Sequence, residues 1–248
     1  MKPLLACLLF AAFAARAVAF DHAHARLAKV LATHVTDGAV DYAALKSSPA
    51  GLAAYLDELA AVKEAEFKAW KQPQQLAFLL NLYNAATLRL ITDHYPVKSI
   101  KDTGSLFKGP WKQEIVRLWG RTTTLDEVEH GILRARYAEP RVHFALVCAA
   151  KSCPPLRSEP YVADTLDAQL TDQARRFFAQ PAKNRVEAAT DTLWLSPIFD
   201  WFRADFTKDG RTLEEFVAPF FGVADAKRIR AGGLRVKFTD YDWSLNAK

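Results

Sequence analysis

Leu27, Val30, Leu31 and His34 fall at the spacing of one helical face, so the stretch between Phe20 and Thr36 predicts a short amphipathic helix. Asp37-Gly38 supplies a turn, and Ala39-Val40-Asp41-Tyr42 reads as a short extended piece. Leu52, Tyr55, Leu56 and Leu59 mark a second amphipathic helix. The pattern is strongest from Pro73 to His94. There Leu76, Leu79, Leu80, Tyr83, Leu90 and Ile91 recur at helical spacing, Pro73 suits the first turn, and Pro96 closes the pattern. Ala77, Phe78 and Leu82 add apolar side chains off that stripe, which predicts a helix enclosed on most sides at the centre of the fold.

Beyond Pro96 the texture changes. Ile115 to Trp119 and Thr122 to Thr124 flank Gly120-Arg121 as a hairpin would. Leu125 to Arg134 predicts a helix, with Thr124 placed as its cap and Glu127 three residues on. The apolar run from Val142 to Val147 predicts a strand, in which alternation sets His143 and Cys148 on opposite faces. Tyr161 to Phe178 returns to helical spacing, Thr192 to Leu195 predicts another strand, and Leu213 to Phe221 a last helix. The sum is an α+β fold: a helix-rich single domain with a central buried helix and a small antiparallel sheet.

Residues 1–19 alter the picture of where this domain works. A basic Lys2, an apolar stretch from Leu4 to Ala15 and the small residues Ala17-Val18-Ala19 make the pattern of a secretory leader cleaved before Phe20. Leu4-Leu5-Ala6-Cys7 lies too close to the initiating Met for a lipid-attachment box. No segment reaches the ~20 apolar residues of a membrane helix, so a periplasmic or secreted domain over residues 20–248 is expected. Removing 19 of 248 residues leaves 229, and 50% hydrophobic composition suffices for one core. Losing Lys2 and Arg16 takes the formal charge from +5 to +3, dispersed along the chain, which excludes a nucleic-acid binder on charge grounds. The expected partner is an envelope small molecule or peptide.

Cleavage also removes Cys7, leaving Cys148 and Cys153 in an oxidising space. A disulfide between them is the favoured reading, with Pro154-Pro155 stiffening the exit from the small loop. A reduced Cys153 beside Lys151 is the competing nucleophile. Zinc held by both cysteines with His130 and His143 lacks the compact ligand pairs of structural zinc sites, so no metal or other cofactor is expected. Asn81 and Asn84 sit about 60° apart on the central helix, where buried amides need partners. They either tie loops to the helix or form the polar wall of a cleft. Glu129, His130 and His143 are candidate acid–base groups, Ser152 a candidate ligand contact beside the cysteines.

The blocks Asn81-Leu82-Tyr83-Asn84-Ala85, His94 to Ile100, Glu129-His130-Gly131-Ile132-Leu133-Arg134 and His143 to Cys148 through Ser152-Cys153-Pro154, in this order, resemble the DUF547 family. The resemblance spans about Asp37 to Phe206 and departs from the usual pattern at Phe78-Leu79, where a tryptophan is expected. The family is a domain of unknown function and implies no reaction. A distant likeness to papain-like or transglutaminase-like folds would put Asn81 where those carry a cysteine, which disfavours an ordinary thiol protease. The expectation is therefore hydrolysis or transfer at an amide or ester, with His143 or His130 as base, Glu129 as orienter and an asparagine amide as oxyanion donor. The alternative is a non-catalytic peptide- or glycan-binding module using the same cleft.

Overall fold

The computed structural model describes residues 19–105 and 108–248, so the expected leader lies, apart from Ala19, outside the described residues. Helix α1 (Ala25–His34) buries Leu27, Val30, Leu31 and His34, the face that the spacing predicts. Strands β1 (Val35–Thr36) and β2 (Ala39–Val40) pair antiparallel across Asp37 and Gly38, both in the left-handed region at φ 50° and 84°. Such a turn matches the twist of its strands. A Cβ at Gly38 would meet Pro155 Cβ at 2.5 Å, so only glycine fits against the exit of the cysteine loop. The extended piece ends at Val40, because Asp41 accepts from Ala44 N at 2.9 Å and caps α2 (Tyr42–Ser47).

Helices α3 (Ala50–Ala61) and α4 (Glu64–Ala69) lead into α5 (Gln72–His94), the central helix. Nearly every residue of α5 from Leu76 to Thr92 is buried, as its lack of a polar face requires. Strands β3 (Val116–Leu118) and β4 (Arg121–Thr123) form the expected hairpin, with the turn one residue early at Trp119 and Gly120. Thr124 Oγ1 accepts from Glu127 N at 3.0 Å and starts the next helix. Within it, Glu127–Arg134 winds as a π-helix rather than the regular α-helix the spacing predicts. Wide turns of this kind recur at functional sites.

The predicted strand at Val142 to Val147 is a correction. Val142–Ala145 forms a single helical turn, α6, closed by Leu146 N donating to Val142 O at 2.9 Å, and the chain runs extended only from Leu146. The run is buried on every side, so its apolar sequence carries no alternation to separate strand from helix. With the strand goes the inference that His143 and Cys148 occupy opposite faces of a sheet.

Helix α7 (Leu166–Phe178) begins later than Tyr161, whose backbone is tied to Asn81. Strand β5 (Arg185–Glu187) pairs antiparallel with β6 (Thr192–Leu195), and β6 also pairs parallel with the last strand. Short helices α8 (Ile198–Trp201), α9 (Arg203–Phe206) and α10 (Leu213–Val217) follow, then α11 (Val223–Ala231) and β7 (Arg235–Phe238). Proline 219 lies in the 3-10 turn Ala218–Phe220 that ends the expected last helix, and α11 and β7 were not expected. The fold is thus helix-rich α+β with small sheets. No helix among the described residues is long and apolar enough to cross a membrane.

Two clusters of buried side chains fill it. One surrounds α5, and the other is rich in phenylalanine, including Phe144, Phe177, Phe199 and Phe206. Helix α6 belongs to both, since Val142 and Ala145 pack in the first and Phe144 in the second. His143 sits at that junction.

Candidate functional site

A cleft of about 540 Å³ opens beside this junction. Tyr83 of α5 and Glu129 of the π-helix face it from one core, while Trp201 and Phe202, at the end of α8, face it from the other. Tyr241 and Trp243 reach it from the C-terminal segment, which is fixed by Leu245 N donating to Lys98 O at 2.8 Å and Asn246 N to Ala149 O at 3.0 Å. Trp201 stacks on Trp243 with ring centroids 5.9 Å apart and packs on Tyr241 at 4.8 Å. It is 48% exposed, so this aromatic wall meets solvent.

His143, 4% exposed, stands in the wall of the cleft. Its Nε2 lies 2.7 Å from Asp205 Oδ2 of α9. A carboxylate only accepts, so it is Nε2 that carries a proton in this contact. The imidazole lies flat on Phe202, with centroids 4.0 Å apart and planes at 19°. Arg134 of the π-helix completes the group, donating to Asp205 through Nε at 2.5 Å and Nη2 at 3.1 Å. Its Nη1 donates to His130 Nδ1 at 2.9 Å. Burial by itself would raise the Asp205 pKa, but the hydrogen bonds and charges of His143 and Arg134 hold it well below the usual carboxylate range. Asp205 is therefore a fixed anion that orients His143.

Glu129 is 9% exposed and, with Asp126, brings carboxylates to the cleft itself. Tyr83 is pushed far above the ordinary phenol range by burial first and then by the Glu129 carboxylate beside it. Tyr241 is raised for the same two reasons in the same order. Both phenols thus stay protonated and able to donate.

The structure therefore brings Glu129, His130, His143 and both cysteines to one cleft and sends Asn81, Asn84 and Ser152 elsewhere. Asn81 is saturated by backbone, donating to Tyr161 O at 2.7 Å and accepting from Tyr161 N at 2.9 Å. Asn84 does the same between Ala145 O and Val147 N, both at 2.9 Å. Neither lines the cleft, and together they clamp the chain on both sides of the cysteine loop, the loop-tying role weighed from the sequence. An asparagine oxyanion donor has no place in this geometry. Ser152 Oγ accepts from Asp242 N at 2.8 Å and holds the C-terminal segment instead. Cys148 and Cys153 form a disulfide in the cleft wall, with Tyr241 Oη 3.3 and 3.1 Å from their sulfurs. In that state neither can serve as nucleophile or zinc ligand. Lys183 donates to Cys153 O at 2.5 Å, and burial lowers its pKa to about 8.

Sequence reasoning missed Asp205, Arg134 and the aromatic wall. The orienter of His143 is Asp205, 62 residues away, and not Glu129. Only the density of aromatic residues at Trp201-Phe202 and Tyr241 to Trp243 could have pointed to these segments. Among the described residues, no group of three or more His, Cys, Asp or Glu side chains could hold a metal ion.

Residues 67–178 match the family model described as protein of unknown function, DUF547. This is narrower than the resemblance from Asp37 to Phe206, and it contains every motif on which that resemblance rests. No curated protein and no solved structure matches the chain.

Proposed function

Since residues 67–178 belong to the DUF547 family, which prescribes no chemistry, we propose from the site itself that the cleft hydrolyses or transfers an amide or ester group. The protein acts outside the cytoplasm, after a leader is cleaved before Phe20, on a component of the cell envelope. His143 is the general base, accepting a proton at Nδ1 from the attacking water or acceptor group. Asp205 holds the ring in that tautomer and stabilises the imidazolium. Glu129, on the same cleft, is the second proton-transfer group, and the phenols of Tyr83 and Tyr241 are donors for the developing oxyanion.

One observation carries this reading: a buried histidine, fixed by a carboxylate at 2.7 Å and by a flat aromatic contact, in the wall of a ligand-sized cleft. Base, orienter and cavity are the parts that proton-transfer catalysis needs together. Incubating the exported protein with envelope peptide and ester fragments, followed by mass spectrometry, tests it. Product should form, His143→Gln should abolish it, and Asp205→Asn should slow it by about 100-fold or more. Unchanged turnover in His143→Gln would exclude that base.

The exposed aromatic wall favours a second reading, a module that binds peptide or glycan without reaction. Flat rings beside polar groups give affinity through stacking and burial. Saturable binding with no product would select it.

A further inference from the structure

Cleavage before Phe20, the export reading on which this inference rests, would make Phe20-Asp21-His22 the first three residues of the working protein. A chain that begins with two residues and then histidine presents four nitrogens in order: the terminal amine, the amides of the second and third residues, and the Nδ1 of the histidine. They close successive chelate rings around one ion and lie in one plane. We infer that this terminus is a binding site for Cu(II) or Ni(II), formed by the Phe20 amine, the Asp21 and His22 amide nitrogens and His22 Nδ1.

The folded segment leaves those atoms uncommitted. Asp21 is already employed through its other groups: its carboxylate accepts from Ala23 N and Ala25 N, both at 2.9 Å, and its carbonyl accepts from His24 N at 3.1 Å. Among the described residues, the amide nitrogens of Asp21 and His22 make no hydrogen bond. His22 Nδ1 is buried and likewise without a partner. A buried polar atom left unpaired is costly and calls for an explanation. A metal bond to that nitrogen would supply one.

The surroundings hold the terminus in place. Phe20 stacks on Trp70 at 5.2 Å and meets Phe78 at 5.4 Å, while the His22 ring sets its edge on Trp70 at 4.5 Å.

The donor set selects the ion. Square-planar nitrogen coordination suits Cu(II) and Ni(II), whereas zinc prefers a tetrahedron. Binding displaces one proton from the Phe20 ammonium and one from each of the two amides, and the two amidates balance the charge of the divalent ion. Only one side chain takes part, so the site does not depend on a cluster of ligating side chains.

The test uses the full chain expressed with its leader and recovered after export. N-terminal sequencing is followed by titration with cupric chloride against glycine as competitor. Visible absorption and electron paramagnetic resonance read the coordination. Protein beginning at Phe20 should take one equivalent of copper with the signature of a planar four-nitrogen centre. His22→Gln should lose more than about 100-fold in affinity, since even outer-shell changes at metal sites cost 10- to 100-fold. Protein carrying one added glycine ahead of Phe20 retains every side chain but moves His22 to fourth place, and it should lose the planar signature. Turnover or ligand binding in the cleft should be unchanged in His22→Gln. If the exported protein begins at another residue, the cleavage reading fails and the site with it. If it begins at Phe20 yet binds copper no better than the glycine-extended form, the site alone fails.

Discussion

Replacing Asn84 by alanine removes the side-chain partner of two buried backbone groups. Asn84 Nδ2 donates to Ala145 O and its Oδ1 accepts from Val147 N, both at 2.9 Å, in a region closed to water. Each group left unsatisfied costs roughly 1 to 3 kcal/mol, so the substitution should cost about 2 to 6 kcal/mol before any cavity is counted. For a protein of this size that lowers Tm by roughly 4 to 24 °C, measured by calorimetry or by circular dichroism at a fixed scan rate. Asn81→Ala should fall in the same range, because Asn81 holds Tyr161 through an equivalent pair of bonds. Asn84→Asp tests the mechanism further, since it keeps an acceptor for Val147 N but sets a carboxylate against the Ala145 carbonyl. It should be at least as destabilising as alanine. A direct ligand contact would behave in the opposite way, with stability nearly unchanged and binding lost. A cost below about 1 kcal/mol for both alanine variants would refute the clamp.

Other outcomes follow from the same structure. His24 is buried, and mainly for that reason its pKa falls from 6.5 to about 4. The unfolded chain therefore takes up a proton below about pH 6.5 and the folded protein only near pH 4, so stability is lost as pH falls through that window, by about 3 kcal/mol. His24→Leu should flatten this limb of a denaturation-against-pH curve, and an unaltered limb would disprove the assignment. For Asp205, whose folded pKa is depressed, the stabilisation is complete above about pH 4, the ordinary carboxyl pKa, and is lost at still lower pH. Asp205→Asn should remove that acid-limb contribution as well as slow turnover. Thiol reagents should not label Cys148 or Cys153 before reduction and should label both afterwards. Reduction should cost about 2 kcal/mol at most, because their sequence separation of 5 closes only a small loop. Labelling without reductant would restore Cys153 as a candidate nucleophile.

Much of the fold could be read where a segment has one wet face and one dry face. The helix at Leu27 to His34 and the hairpin at Ile115 to Thr124 show this, because their spacing records which side chains turn inward. The central helix was legible from the helical recurrence of Leu76, Leu79, Leu80, Tyr83, Leu90 and Ile91 between Pro73 and Pro96, although it is enclosed on most sides. Val142 to Val147 was misread because burial on every side erases the period, and because Asn84 supplies hydrogen bonds that a neighbouring strand would otherwise make. At the site, Glu129, His130 and His143 stood out by residue type. Asp205 did not, since one aspartate in Arg203-Ala204-Asp205-Phe206 looks like any helical surface residue. Its importance comes from meeting His143 of α6, a contact 62 residues away in sequence that no local pattern encodes.

His143 lines the cleft on one side and, with Asp205 behind it, a smaller hollow of about 210 Å³ on the other. Its ring is a partition one side chain thick. Cutting His143 back to alanine would breach it, joining the two volumes and admitting solvent behind the ligand. Loss of activity in such a variant would then mix missing chemistry with a flooded chamber. Glutamine at 143 and asparagine at 205 keep the bulk of the barrier while removing its proton-handling, which makes them the substitutions whose effects can be assigned.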